Sequence, residues 1–337
     1  MEKSARRPVR LRVTHRARVG LGLGVVLLAL GVGDAAPAVA AADGAGQPSF
    51  DETWRDGRAE LDGYRLTVDR YGHPRVGRGV AIYVTEPLSR TKHVKLDEPA
   101  KAAPADVLDV LKLNLVRSFQ TGIYDYHTMV SLFVDAADFA PVKVAFSSAE
   151  WCGQVYEQLD FDDGRLAARY ASYFEGESAE QTVEVPDRLM TEDALFVVLR
   201  GLRGPFLAPG EKRELPFLAS PFVRRLAHRP LAVGKATIER RGDTESVTVP
   251  AGTFVADVFV VTPDDGREGR FWIERAAPHR VLRWAWTRTG SGGAGQAGLG
   301  GTDAGELTGT SREPYWKEHD PGDEKLLERL GLKAVVE

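Results

Sequence analysis

Apolar and polar side chains alternate along residues 63–71 (G-Y-R-L-T-V-D-R-Y), with Tyr64, Leu66 and Val68 on one face. A period of two marks a half-buried strand. Gly72-His73-Pro74 interrupts it and residues 77–87 (G-R-G-V-A-I-Y-V-T-E-P) resume it, which predicts a hairpin. The run from Val107 admits a helix at its start. But Leu111, Leu113 and Leu115 stay in step with Phe119, and Tyr124, Tyr126, Thr128, Val130 and Leu132 alternate after Thr121-Gly122, so a second hairpin is predicted. Residues 142–175 read as three more strands, two of them joined by Asp162-Asp163-Gly164.

The clearest helix lies over 192–200. Thr191 can cap it, Glu192 and Asp193 suit the positive end of its dipole, and Gly201 can stop it. Strands follow over 213–224, 231–240, 245–249, 254–262, 268–275 and 280–287, with turns at Arg241-Gly242-Asp243 and Pro263-Asp264-Asp265-Gly266. Residues 290–309 are rich in glycine and too polar to fold alone. Strands joined by short turns, without a βαβ rhythm, predict a mainly β fold. The expected architecture is a large bent antiparallel sheet, half-barrel-like, with a few short helices. A sheet of that size must curl, close or be covered on its apolar face.

The ends change the picture. Lys3, Arg6, Arg7, Arg10, Arg12, Arg16 and Arg18 precede an uncharged apolar run, Val19 to Gly33, and then Ala38-Val39-Ala40. Basic, apolar and small-x-small, in that order, predict a signal peptide over 1–40, with an uncleaved anchor as the alternative. The run is short for a membrane span of about 20 residues. Arg6-Arg7 hints at twin-arginine export, but Pro8 and Arg10 fit that pattern poorly, and the general secretory route is favoured. The remainder divides into a flexible segment over 41–53, an antiparallel β domain over 54–289, the Gly-rich flexible insertion over 290–309 and a C-terminal tail over 310–337 with a short helix at 323–330. Export places the protein in the periplasm or outside the cell.

Charge then excludes one class of partner. The signal holds 7 of the 44 basic and 2 of the 48 acidic residues, which leaves 37 against 46, a formal charge of −9. Nucleic-acid binding calls for a basic patch instead. No transmembrane span is expected in the mature chain.

Candidate chemistry is sparse. Trp151-Cys152-Gly153 begins like a thioredoxin redox motif, but Cys152 is the single cysteine and Val155 stands where the resolving thiol would be. Its strand-like flanks predict a small buried apolar residue, with an intermolecular disulfide or a reactive thiol as alternatives. There is no G-x-S-x-G and no H-E-x-x-H. The acidic string 319–324 (H-D-P-G-D-E) reads as a solvated turn, so neither a metal nor a cofactor is expected. Asp125 and His127 share a strand face and could form a general-base pair. Trp54, Trp151, Trp272, Trp284, Trp286 and Trp316 are spread along the chain, and in a curled sheet several would line the concave face as core or as an apolar cleft.

Several strings identify a family. They are W-R-D-G-R-A-E-L-D-G-Y-R-L (54–66), R-Y-G-H-P-R-V-G (70–77), Y-V-T-E-P (83–87), F-Q-T-G-I-Y-D-Y (119–126), S-S-A-E-W-C-G (147–153) and Y-W-K-E-H-D-P-G-D-E (315–324). Together they resemble a family of exported bacterial proteins of uncharacterised activity, often labelled lipoproteins and sometimes labelled septum formation inhibitor (Maf). The chain lacks the S-x-S-P-R-R opening of Maf nucleotide pyrophosphatases. The C-terminal strings V-T-V-P-A-G-T-F-V-A-D-V (247–258) and F-W-I-E-R-A-A-P-H-R-V-L-R (271–283) are similar to a theme of periplasmic curved-sheet proteins with the lipoprotein-carrier (LolA/LolB-like) fold. That resemblance implies a concave face that holds acyl chains. The leading expectation is therefore an exported, non-catalytic protein that binds an apolar or lipid-like ligand at Trp272, Trp284 and Trp286. The alternatives are a hydrolase using Asp125 and His127, and an envelope scaffold that binds another protein by an open sheet edge.

Overall fold

The computed structural model of the protein describes residues 49–288 and 302–333. The expected signal peptide over 1–40 lies outside these residues. The first eight strands are β1 (Ala59–Arg70), β2 (His73–Ser89), β3 (Val107–Thr121), β4 (Tyr124–Asp135), β5 (Pro141–Glu150), β6 (Gly153–Asp162), β7 (Arg165–Ser172) and β8 (Ala179–Glu184). Then come β9 (Met190–Thr191), β10 (Lys212–Leu218), β11 (Val233–Val249), β12 (Gly252–Pro263), β13 (Arg267–Glu274), β14 (Val281–Arg288) and β15 (Thr302–Glu313). All fifteen lie in one sheet, antiparallel except for the pairing of β9 with β10. The sheet is bent but not closed into a barrel, as the alternation predicts, and its two edges are β8 and β9.

Both predicted N-terminal hairpins are present, with Tyr64↔Gly79 and Leu113↔Leu132 among their pairs. Sequence neighbours are sheet neighbours except in the middle. There β1 lies between β2 and β15, so the first strand pairs with the last, from Ala59↔Glu313 to Val68↔Asp303, with a bulge at Gly63/Tyr64.

One face of the sheet surrounds the segment between β9 and β11. That segment carries a Thr191-capped 3-10 turn (Glu192–Ala194), which runs into α2 (Leu195–Val198), and later α3 (Pro221–Leu226). The cap and the helix fall where the sequence predicts them. Phe196 of α2 packs edge-on against Phe271 and Trp284, and Phe222 of α3 against Phe146. Most buried apolar side chains of the sheet and of both helices form one core cluster, and Leu88, Leu108, Val110 and Val142 form a smaller second one.

Several expectations need correction. The strand expected over 213–224 ends at Leu218, because the Ser220 hydroxyl accepts from the Phe222 amide and Pro221 opens α3. The runs 231–240 and 245–249 are one strand, β11, and Arg241-Gly242-Asp243 forms a bulge rather than a turn. Strand β8 is polar and exposed, and carries no alternation to reveal it.

The Gly-rich insertion expected over 290–309 is a strand from Thr302 onward, and residues 289–301 lie outside the described residues. The two glycines of the described strand, Gly305 and Gly309, are packing residues. A Cβ on Gly305 would lie 2.1 Å from the Trp284 ring. The β domain therefore extends to Glu313, and the tail follows that strand. In the segment expected to be flexible over 41–53, a capping box between Ser49 and Glu52 opens α1 (Phe50–Trp54), whose Phe50 and Trp54 are buried. The predicted C-terminal helix is a 3-10 helix, Asp323–Leu330. It lies on the outer face of the sheet over Gly63, where a Cβ would meet the Leu330 carbonyl oxygen at 2.1 Å.

Candidate functional site

The three tryptophans expected to bind ligand do not line one cleft. Trp284 and Trp286 share the inner face, as the alternation requires. Trp284 is fully buried, edge-on to Tyr64 at 4.8 Å and to Phe196 at 4.9 Å. Trp286 covers Gly269 and lies under the Arg267 guanidinium at 4.6 Å. The cavity beside it is about 20 Å³, far below the several hundred Å³ of a small-molecule pocket. Trp272 pairs with Arg283 on the opposite face, and its indole N–H donates to Glu245 at 2.8 Å. These side chains are packing residues.

Asp125 and His127 do share the outer face of β4, but no hydrogen bond joins them among the described residues. His127 is exposed, and its Nδ1 meets the Ser118 hydroxyl across the β3–β4 ladder at 3.2 Å. Cys152 is exposed, contrary to the expected burial, because Trp151-Cys152 is itself the turn between β5 and β6. Among the described residues no group of His, Cys, Asp and Glu could hold a metal ion.

Inside the sheet lies a set of buried ions that alternation alone does not reveal. Arg200, just after α2, pairs with Glu60 of β1 at 2.7 Å and donates to the carbonyls of His279 and Pro278. Its guanidinium lies 4.5 Å from the Tyr83 ring centre. Arg267 of β13 grips both carboxylate oxygens of Glu192. Glu157 of β6 pairs with Arg224 and Arg225 of α3. These pairs fix the inner segment to the wall on three sides.

Burial raises three aspartates, Asp303 and the two considered next. Asp62, with Glu60 beside it, is pushed up to about 7 by desolvation, and so is Asp193, with Glu192 beside it. Shifted carboxylates often mark active sites, but neither of these lines the cleft described next.

Their sign gives a pH dependence. Unfolded, both titrate near the ordinary aspartate value of about 4. Between about pH 4 and pH 7 the folded protein keeps protons that the unfolded chain has released, so stability falls as pH rises through that window. Asp106, held low by the Thr91 amide, acts the other way and below that window. Urea unfolding is expected to give a higher free energy at about pH 5 than at about pH 8, with the difference reduced in Asp62→Asn. An unchanged difference in that variant would remove Asp62 as its source.

The open seam of the sheet holds the candidate site. The turns at the ends of β4 and β6 come from one side of the seam. The link from β8 to β9, with α2 and β10, comes from the other. Strand β9 pairs only at Phe217↔Met190 and Leu218↔Thr191, so it leaves most of the β10 flank uncovered. Between them is a cleft of about 690 Å³, within the range that holds small ligands. Phe139, Phe161, Met190, Val198, Phe206 and Leu215 form its apolar surface. Charges of both signs rim it: Arg165, Arg188 and Arg213 against Asp138, Asp162, Asp163 and Asp187. Arg213 stacks over Phe206 at 5.1 Å and pairs with Glu211 at 2.7 Å.

The only hint of this cleft in the sequence is large apolar residues beside Asp-rich turns, such as Phe139 after Asp138 and Phe161 before Asp162-Asp163. Comparison with protein-family models, with curated proteins and with solved structures gives no match.

Proposed function

We propose that the protein is a non-catalytic binding protein of the cell envelope that takes an amphipathic, lipid-like ligand in the seam cleft. The observation that carries this reading is the cleft itself, with its apolar lining and a rim of both charge signs. An apolar chain would lie against Phe161, Met190 and Leu215, and a zwitterionic or paired head group would meet the Arg and Asp side chains. The location rests on the order of segments in residues 1–40.

Each buried CH₂ contributes about 0.8 kcal/mol, and association consumes part of that. A chain of roughly ten carbons, about 8 kcal/mol before that cost, is thus expected to bind with a Kd between about micromolar and about millimolar. Titration of a fluorescent fatty acid into the purified protein is expected to saturate. Val198→Trp, which fills the cleft from a half-buried position, is expected to weaken binding at least about tenfold, or by about 1.4 kcal/mol, with the melting temperature retained. No saturable binding, or equal binding by Val198→Trp, would remove the reading.

A further inference from the structure

Consecutive antiparallel strands send alternate turns to the same end of a sheet. The β1–β2, β3–β4, β5–β6 and β7–β8 turns therefore share one end. With strands about 4.8 Å apart, these four turns follow one another at about 10 Å. Each presents a large apolar side chain to solvent: Tyr71 (44% exposed), Ile123 (78%), Trp151 (69%) and Tyr173 (69%).

These side chains form a continuous belt. The Tyr124 hydroxyl donates to the Tyr71 hydroxyl at 3.3 Å, and the Tyr124 ring lies 6.5 Å from that of Trp151. The Tyr173 ring covers Gly153, two residues beyond Trp151, so closely that a Cβ there would meet it at 2.4 Å. The turns at the other end of β4 and β6 carry Asp138 and Asp163 instead.

Large exposed apolar patches mark interaction sites, and tyrosine and tryptophan suit a boundary between water and an apolar phase. Charge narrows the choice. Residues 71–73, 121–124, 150–153 and 173–178 contain no lysine or arginine and three glutamates: Glu150, Glu175 and Glu177. Glu177 is engaged by His228 and Arg225, Glu150 is half-buried with one carboxylate oxygen enclosed, and Glu175 is exposed, while the Arg70 guanidinium lies 4.4 Å from the Tyr71 ring centre. The belt therefore carries little net charge and has no basic cluster to draw it to an anionic surface. A zwitterionic phospholipid surface, which carries no net charge, matches it.

We infer that this end of the sheet docks on a zwitterionic bilayer, with Ile123, Trp151 and Tyr173 entering the head-group layer. The inference is independent of the seam cleft, which lies at the opposite end.

Vesicle co-sedimentation tests it, with phosphatidylcholine–phosphatidylethanolamine vesicles compared with phosphatidylglycerol vesicles. The wild-type protein is expected to bind the zwitterionic vesicles more strongly. The combined variant Ile123→Ser, Trp151→Ala, Tyr173→Ser is expected to lose at least about tenfold in partition while keeping its melting temperature, because all three side chains are exposed. Val198→Trp is expected to bind vesicles like the wild type, which separates this test from that of the cleft. Failure of the wild-type protein to bind, equal binding by the triple variant, or preference for phosphatidylglycerol would overturn the inference. Self-association abolished by the triple variant, without vesicle binding, would also overturn it and assign the belt to a second copy of the chain.

Discussion

Arg200→Met is expected to lower the unfolding free energy by about 3–5 kcal/mol, the range for removing one partner of a buried ion pair. Arg200 is the shared cation for Glu60 and Asp62, both fully enclosed on the inner face of β1. Removing it leaves a buried carboxylate unpaired and frees the carbonyls of Pro278 and His279. It also takes the stacked guanidinium from Tyr83. Methionine restores the volume but none of these bonds. If the penalty is electrostatic, Glu60→Leu added to Arg200→Met should recover much of it, since apolar replacement of a whole buried pair is often close to neutral. Denaturant unfolding of the two variants decides. A loss under about 1 kcal/mol in Arg200→Met would mean that the pair contributes little.

Trp284→Ala is expected to cost a similar amount, about 3–5 kcal/mol, through lost burial and the cavity it leaves. The ring fills the space between Tyr64, Phe196 and the bare backbone of Gly305. The reverse error is informative as well. Gly305→Ala places a methyl group inside the ring and is expected to cost about 1–3 kcal/mol or more by overpacking. Trp284→Ala should relieve part of that strain, so the two substitutions together should destabilise less than their sum. Thermal unfolding of the two single variants and the double variant measures this. Strict additivity would show that the ring and Gly305 are not in the contact described. Probe binding by whatever fraction of Trp284→Ala stays folded should match the wild type, because Trp284 lies outside the seam cleft.

How far the fold is legible depends on what each residue signals locally. The hairpins of β1 to β7 are readable because Gly72, Gly122 and Asp163-Gly164 punctuate alternating runs. Strand β15 is not, because the glycines that admit Trp284 look like those of a flexible linker. Helix α3 hides in an apolar run whose only signals are Ser220 and Pro221. Glu60 and Asp62 break the apolar face of β1, and their partner Arg200 is about 140 residues away, beyond any periodicity. Cys152 follows the same rule. Its flanks are strands, but the residue itself is the turn. The seam cleft was least legible of all. It joins residues from both ends of a fifteen-strand order, and no local pattern records where a sheet stops short of closing.

The pairing of β1 with β15 governs when the protein can fold. The strand beginning at Ala59 finds its partner only once the chain has been made as far as Glu313. Each half can form hairpins early, but until then β1 and β14 keep bare flanks open to wrong partners. Contacts this distant in sequence give a slow final step, on the scale of milliseconds to seconds or longer. On the proposed reading, in which the protein is exported to the cell envelope, the same delay is useful. A sheet that cannot lock before its last strand emerges stays threadable for as long as translocation takes.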